Sequence, residues 1–178
     1  MNFHTGDNSS RNRQFMLPDP YPIPKVVKQN YYYASLLAED YAGMKGELTA
    51  ITQYIYQYIT LQNNYPDIAT LAKQIAITEM YHLELLGKTI QLLGEEPIIG
   101  CAGYNTMRFW NSQFIYYGEG VYDKLYADIN HEKEAIQNYK EHQQCIDDPY
   151  IKNLLERIIY DEEYHLHLFS EFQDRLLP

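Results

Sequence analysis

Apolar side chains recur at helical spacing along four stretches of this 178-residue chain, and clusters of turn residues separate them. From about residue 32 to 61, Leu37, Tyr41, Met44, Leu48, Ile51, Ile55 and Tyr58 mark one face of a first helix, which Asn63-Asn64-Tyr65-Pro66 ends. A second helix is predicted over 66–93, with proline tolerated in its first turn and Gly94 as its stop. Residues 95–118 keep no period and contain Pro97, Gly100, Gly103 and Gly118, which predicts a long connection. A third helix follows over 119–146. Asp147-Asp148-Pro149 then supplies a turn, an N-cap and a first-turn proline for a fourth helix reaching 176.

Short turns inside each pair and a long link between pairs predict an all-α fold of two antiparallel helix hairpins joined by a crossover. Helices of about 27 residues span roughly 40 Å, and an extended link at about 3.3 Å per residue covers that distance. This is the ferritin-like variety of four-helix bundle. It occupies residues 30–178, behind an arm over 1–29 whose prolines at 18, 20, 22 and 24 predict an extended or disordered segment without chemistry of its own.

Ionisable residues interrupt the inward stripes at matching places. The face of helix 2 centred on Glu79 carries Ile68, Ala72, Ile75, Leu86 and Ile90, with only Glu79 and His82 polar. The face of helix 4 centred on Glu162 repeats this 83 residues later, with Ile151, Leu155, Ile158 and Phe169 around Glu162 and His165. Each Glu-x-x-His tetrad sets a carboxylate and an imidazole one turn apart, and burying such groups is costly unless they are paired or bind metal. Helix 1 adds Glu47. Helix 3 offers Glu132, among Leu125, Ile129, Ala135, Ile136 and Tyr139, and Glu134, whose neighbours on the wheel are polar; Glu132 is the inward one. Residues level across an antiparallel turn lie equally far from it. The midpoint of Glu47 and Glu79 is residue 63 and that of Glu132 and Glu162 is residue 147, both inside turns, so four glutamates meet at one height. Four carboxylates and two neutral imidazoles balance two divalent ions, and oxygen and nitrogen donors suit iron or manganese.

Composition narrows the partners. The formal charge of −10 disfavours nucleic acid, which needs basic patches. The polar N-terminus lacks the apolar centre of a secretory signal, and no apolar run is long enough for a membrane span, so a cytoplasmic protein is expected. Cys101 and Cys145 form no C-x-x-C pair and read as buried free thiols. His131, His142 and His167 lie off the inward stripes and read as surface or interface residues. The tyrosine-rich crossover suggests a partner surface for a homodimer.

Several segments resemble those of bacterioferritins and, more widely, rubrerythrins. Glu47-Leu48-Thr49-Ala50-Ile51-Thr52-Gln53-Tyr54 looks like the first ligand segment and Glu79-Met80-Tyr81-His82 like the second. Asp128-Ile129-Asn130-His131-Glu132 and Asp161-Glu162-Glu163-Tyr164-His165 resemble the third and fourth. The resemblance implies Glu47, Glu79, His82, Glu132, Glu162 and His165 as metal ligands, with Glu79 and Glu162 bridging. It implies Tyr54 as a residue beside the centre that hydrogen-bonds or transfers an electron, and Asp161 as the partner of the opposite histidine. Met80 stands where bacterioferritins place a haem-ligating methionine, a common filler, and haem is not expected. Ala135 replaces an extra rubrerythrin glutamate and no rubredoxin-like domain follows, so any electron donor would be a separate protein. The chain stops before the fifth helix of bacterioferritins, which weakens cage assembly.

The implied activity is reduction of H2O2 or O2 by a dinuclear centre, di-iron in the first instance, of peroxidase or ferroxidase type. A dimanganese catalase that disproportionates H2O2 is the alternative, and a non-enzymatic iron-handling or coat-associated protein is a further one.

Overall fold

The computed structural model describes residues 15–102 and 107–176. Five α-helices run through them: α1 (Tyr31–Ala42), α2 (Glu47–Leu61), α3 (Pro66–Leu92), α4 (Val121–Cys145) and α5 (Pro149–Arg175). The α2/α3 and α4/α5 pairs are the two hairpins of the bundle. The crossover carries two short antiparallel strands, β1 (Gly100–Ala102) and β2 (Met107–Phe109), with Gly100 opposite Phe109, and a single 3-10 turn at Ser112–Phe114. Local chemistry fits the ends: Asn30 Oδ1 accepts from the Tyr33 amide at 3.1 Å and Asp148 Oδ1 from the Tyr150 amide at 3.0 Å. Gly94 takes φ +100°, a left-handed conformation suited to glycine, just past α3.

The first predicted helix is two. It breaks between Ala42 and Glu47, and both glycines in the gap are required by close approach. A Cβ on Gly43 would lie 2.5 Å from the Glu39 carbonyl oxygen, and one on Gly46 would lie 2.4 Å from that of Asp40. Thr49 clamps the break, its hydroxyl donating to the Gly43 carbonyl at 3.0 Å and accepting from Trp110 Nε1 of the crossover at 3.0 Å. The break makes Glu47 the first residue of α2, at the positive end of its helix dipole.

Two apolar clusters flank the middle of the bundle. One joins α1 to the end of α3, the end of α4 and the start of α5, through Leu37, Leu86, Ile90, Ile136, Leu155 and Ile158. The other joins α2 to the start of α3, the start of α4 and the end of α5, through Ala50, Ile68, Ala72, Ile75, Leu125 and Phe169. The polar centre lies between them.

Three placements differ from the sequence expectation. His142 is buried, its Nδ1 2.9 Å from Asp40 Oδ2 beside the helix break, with Asn138 Nδ2 donating to Asp40 Oδ1 at 2.8 Å. Burial alone would lower the pKa of His142, but its bonds to Asp40 and Glu39 outweigh that and push it up to about 10. His131 is also buried, against Tyr54. Cys145, at the end of α4, is exposed rather than buried.

Candidate metal centre

Each hairpin delivers one Glu-x-x-His tetrad and one further glutamate to the mid-height of the bundle. The donor atoms form two overlapping groups, Glu47, Glu79, His82 and Glu162 in one and Glu79, Glu132, Glu162 and His165 in the other, with the atoms of each group within 4.8 Å of one another. Glu79 and Glu162 belong to both groups. All six residues are at most 4% exposed. Glu134 instead faces outward, 3.7 Å from Lys45 at the surface, so the helical-face choice of Glu132 agrees with the packing.

The two imidazoles turn the same nitrogen inward. His82 Nδ1 lies 2.8 Å from Glu79 Oε2 and 2.9 Å from Glu162 Oε1, and His165 Nδ1 lies 2.9 Å from Glu79 Oε1. Their outer nitrogens are engaged elsewhere: His82 Nε2 is 3.2 Å from Asp161 Oδ2 and 3.1 Å from the Tyr21 hydroxyl, and His165 Nε2 is 2.9 Å from the Phe15 carbonyl oxygen. A carbonyl oxygen only accepts, so His165 Nε2 carries a proton. Burial alone would lower the pKa of both imidazoles, but Glu79 and Glu162 around His165, and Tyr21, Asp161, Glu162 and Glu47 around His82, raise both well above the ordinary value, so without metal, protons stand between the inner nitrogens and the carboxylates. Two cations could take the place of those protons, and oxygen and nitrogen donors suit them, so this donor set fits a pair of metal ions.

The electrostatics agree. Burial, then the charges of Glu162 and Glu79, raise the pKa of Glu47 and of Glu132 well above the usual carboxylate range. Burial alone would also raise Glu162, but its bonds to His165 and His82 hold it well below that range. Two divalent ions would relieve the crowding of acids in one dry cage.

A hydrogen-bonded shell fixes the outer glutamates. The Tyr54 hydroxyl donates to Glu132 Oε1, and the Tyr139 hydroxyl donates to Glu47 Oε1. Both rings are fully buried, and burial followed by the nearby acids keeps both phenols protonated, hence donors. Each tyrosine stands seven residues after the glutamate of its own helix and bonds the glutamate of the other. Tyr139 was legible in the sequence only as an apolar stripe residue. The signal that would have found it is this repeated seven-residue spacing, the same as from Glu47 to Tyr54.

The arm also takes part. Its first fourteen residues lie outside the described residues, but Phe15 to Tyr21 cross the bundle beside both histidines. Asp161 accepts from the Leu17 amide at 2.8 Å and the Tyr21 hydroxyl at 2.5 Å and pairs with Arg157 at 2.8 Å. Arg157 also donates to the Leu17 and Asp19 carbonyls at 2.9 and 3.0 Å, and its guanidinium lies over the Tyr21 ring. Burial would raise the pKa of Asp161, but His82, Tyr21 and the Leu17 amide bring it down to about 2. The expectation of an arm without chemistry is therefore corrected: it completes the surroundings of both imidazoles. Met80, by contrast, points out of the bundle and is 44% exposed.

Fold and site together define a ferritin-like bundle whose buried carboxylates and imidazoles form a candidate donor set for two metals. The sequence profile of the ferritin-like domain matches residues 42–177, and the chain belongs to that family. Bacterioferritin of Desulfovibrio desulfuricans is 32% identical over 128 residues, 70% of this chain and 66% of its own length. Its solved structure superposes with a TM-score of 0.70 at 27% identity, over 82% of this chain and 80% of its own. A probable manganese catalase of Clostridium acetobutylicum is 25% identical over 165 residues, 83% of this chain and 72% of its own length. The crystal structure of a manganese catalase from Anabaena PCC7120 superposes with a TM-score of 0.79 at 25% identity, over 99% of this chain and 81% of its own. Among the described residues no helix is long and apolar enough to cross a membrane.

Proposed function

We propose that this chain is a dinuclear metal oxidoreductase that consumes hydrogen peroxide, working as a dimanganese catalase held by Glu47, Glu79, His82, Glu132, Glu162 and His165. The observation that carries the reading is the buried cage of two matching half-sites that share Glu79 and Glu162. Likeness to a manganese catalase over 99% of the chain supports manganese over iron. When bound, a pair of redox-active ions supplies the two-electron couple that takes one peroxide to water and another to dioxygen. The protein's part is to hold that couple rigidly and dry. Tyr54 and Tyr139 fix the outer glutamates, each such charge-assisted bond contributing about 1.5–3 kcal/mol. Asp161 and the Phe15 carbonyl fix the imidazole tautomers, and the flanking apolar clusters exclude bulk water.

The experiment is expression with iron and manganese both supplied, metal analysis, and measurement of dioxygen released from peroxide. Two manganese ions per chain and one dioxygen for every two peroxides are expected. The second reading is a di-iron centre of ferroxidase or peroxidase type fed by a separate electron-donor protein. Identity of 32% to a bacterioferritin favours it. Iron-loaded protein that consumes peroxide only with added reductant, and releases no dioxygen, would replace the catalase assignment by that one.

A further inference from the structure

A cavity of about 190 Å³ opens between the helix break and α4. Met44 and Lys45, from the break itself, form one wall, Phe114 and Tyr116 of the crossover another, and Ala127, Asn130 and Glu134 line the α4 side. His131, only 9% exposed, belongs to the same lining. Its ring stands edge-on to Tyr54, centroids 6.3 Å apart, and Tyr54 in turn donates to Glu132. His131 directly precedes Glu132 on α4, and the Tyr54 ring beside it bonds that same glutamate, so one residue adjoins both the cage and the cavity. The rim is spanned by the exposed Lys45–Glu134 pair at 3.7 Å, a contact that solvent screening makes cheap to open.

We propose that this cavity is where small peroxides reach the centre, with His131 as the residue that hydrogen-bonds the incoming molecule and sets the size it admits. Hydrogen peroxide matches the lining because it donates and accepts at both ends, while a bulky alkyl hydroperoxide would have to displace the His131 ring. The two glycines that break the first helix thus serve substrate access, since a continuous helix would not turn Met44 and Lys45 onto this rim.

The proposal rests on the peroxide-consuming reading above, and the test separates the two. Ala127→Trp and Met44→Trp fill the cavity from opposite walls and leave every cage residue intact. Each is expected to keep the wild-type metal content and melting temperature, to lower kcat/KM for peroxide about tenfold, and to slow binding of azide to the metal-loaded centre, followed by absorbance without turnover. His131→Ala is expected to raise the rate with tert-butyl hydroperoxide relative to hydrogen peroxide. Metal-replete Trp variants that bind azide and consume peroxide at wild-type rates would overturn the route. Wild-type protein that holds metal yet leaves peroxide untouched would overturn the catalase reading, while azide rates would still decide the route. Protein that takes up no metal overturns both.

Discussion

Asp161 and Thr78 occupy equivalent positions of the two Glu-x-x-His helices, each one residue before the shared glutamate, yet only Asp161 puts a carboxylate behind a histidine. Behind His165 the acid is replaced by the Phe15 carbonyl, which Thr78 Oγ1 faces at 3.5 Å. A carboxylate partner makes an imidazole a stronger donor than a neutral carbonyl does. The half-site containing His82 should therefore fill before the one containing His165. Calorimetric titration of metal-free protein with Mn(II) should show two steps, and Asp161→Asn should weaken the first by about 10–100-fold. Two identical steps in the wild type would contradict the asymmetry.

Tyr139 and Tyr54 are related by the same internal symmetry, so Tyr139→Phe and Tyr54→Phe should have similar effects. Each removes one bond to a buried glutamate, and metal affinity should fall about 10–100-fold with the fold retained. A Tyr54 that acted chiefly by electron transfer would break this equality, because only one of the two variants would then lose activity at full metal loading.

Glu132→Ala should leave one metal per chain, whereas Glu134→Ala, which alters only an exposed pair with Lys45, should retain two. Metal analysis of the purified variants after dialysis decides this. Equal stoichiometry would remove Glu132 from the cage.

Asp128 is fully buried and accepts from Gln53 and Gln57 at 2.9 and 2.6 Å, but burial dominates and raises its pKa to about 8. The native state thus keeps a proton that the unfolded chain releases near pH 4. Over that interval the native state binds more protons than the unfolded one, so stability falls as pH rises, by up to about 1.4 kcal/mol per pH unit. Asp128→Asn mimics the protonated form and should flatten this slope. Denaturant unfolding of both proteins at pH 5 and pH 8 measures it, and parallel losses in the two would show that Asp128 is not the group responsible.

The parts of this architecture that were legible in the sequence are those that repeat. Glu79 and His82 recur as Glu162 and His165 on apolar stripes, and the turns at residues 63 and 147 bring Glu47 and Glu132 level with them. The helix break was hidden because apolar spacing continues through Met44 and Leu48, and a glycine inside a helix is merely unfavourable by about 1 kcal/mol. His142 and Asp40 satisfy each other across two helices 102 positions apart in sequence, a pairing that no local pattern announces. The arm was misread for a related reason. Its prolines foretell an extended path but carry no record of the surface that path follows, and what Phe15 gives to His165 is a main-chain oxygen, common to every residue type.

The strap from Phe15 to Tyr21 has a practical consequence for handling the protein. Truncation or proteolysis that removes Phe15 to Tyr21 takes away the segment that bonds the outer nitrogens of both imidazoles. Protein trimmed of this strap is expected to lose metal during chelating purification faster than protein that keeps it. The strap should be checked for integrity before any figure for metal content is taken as a property of the protein.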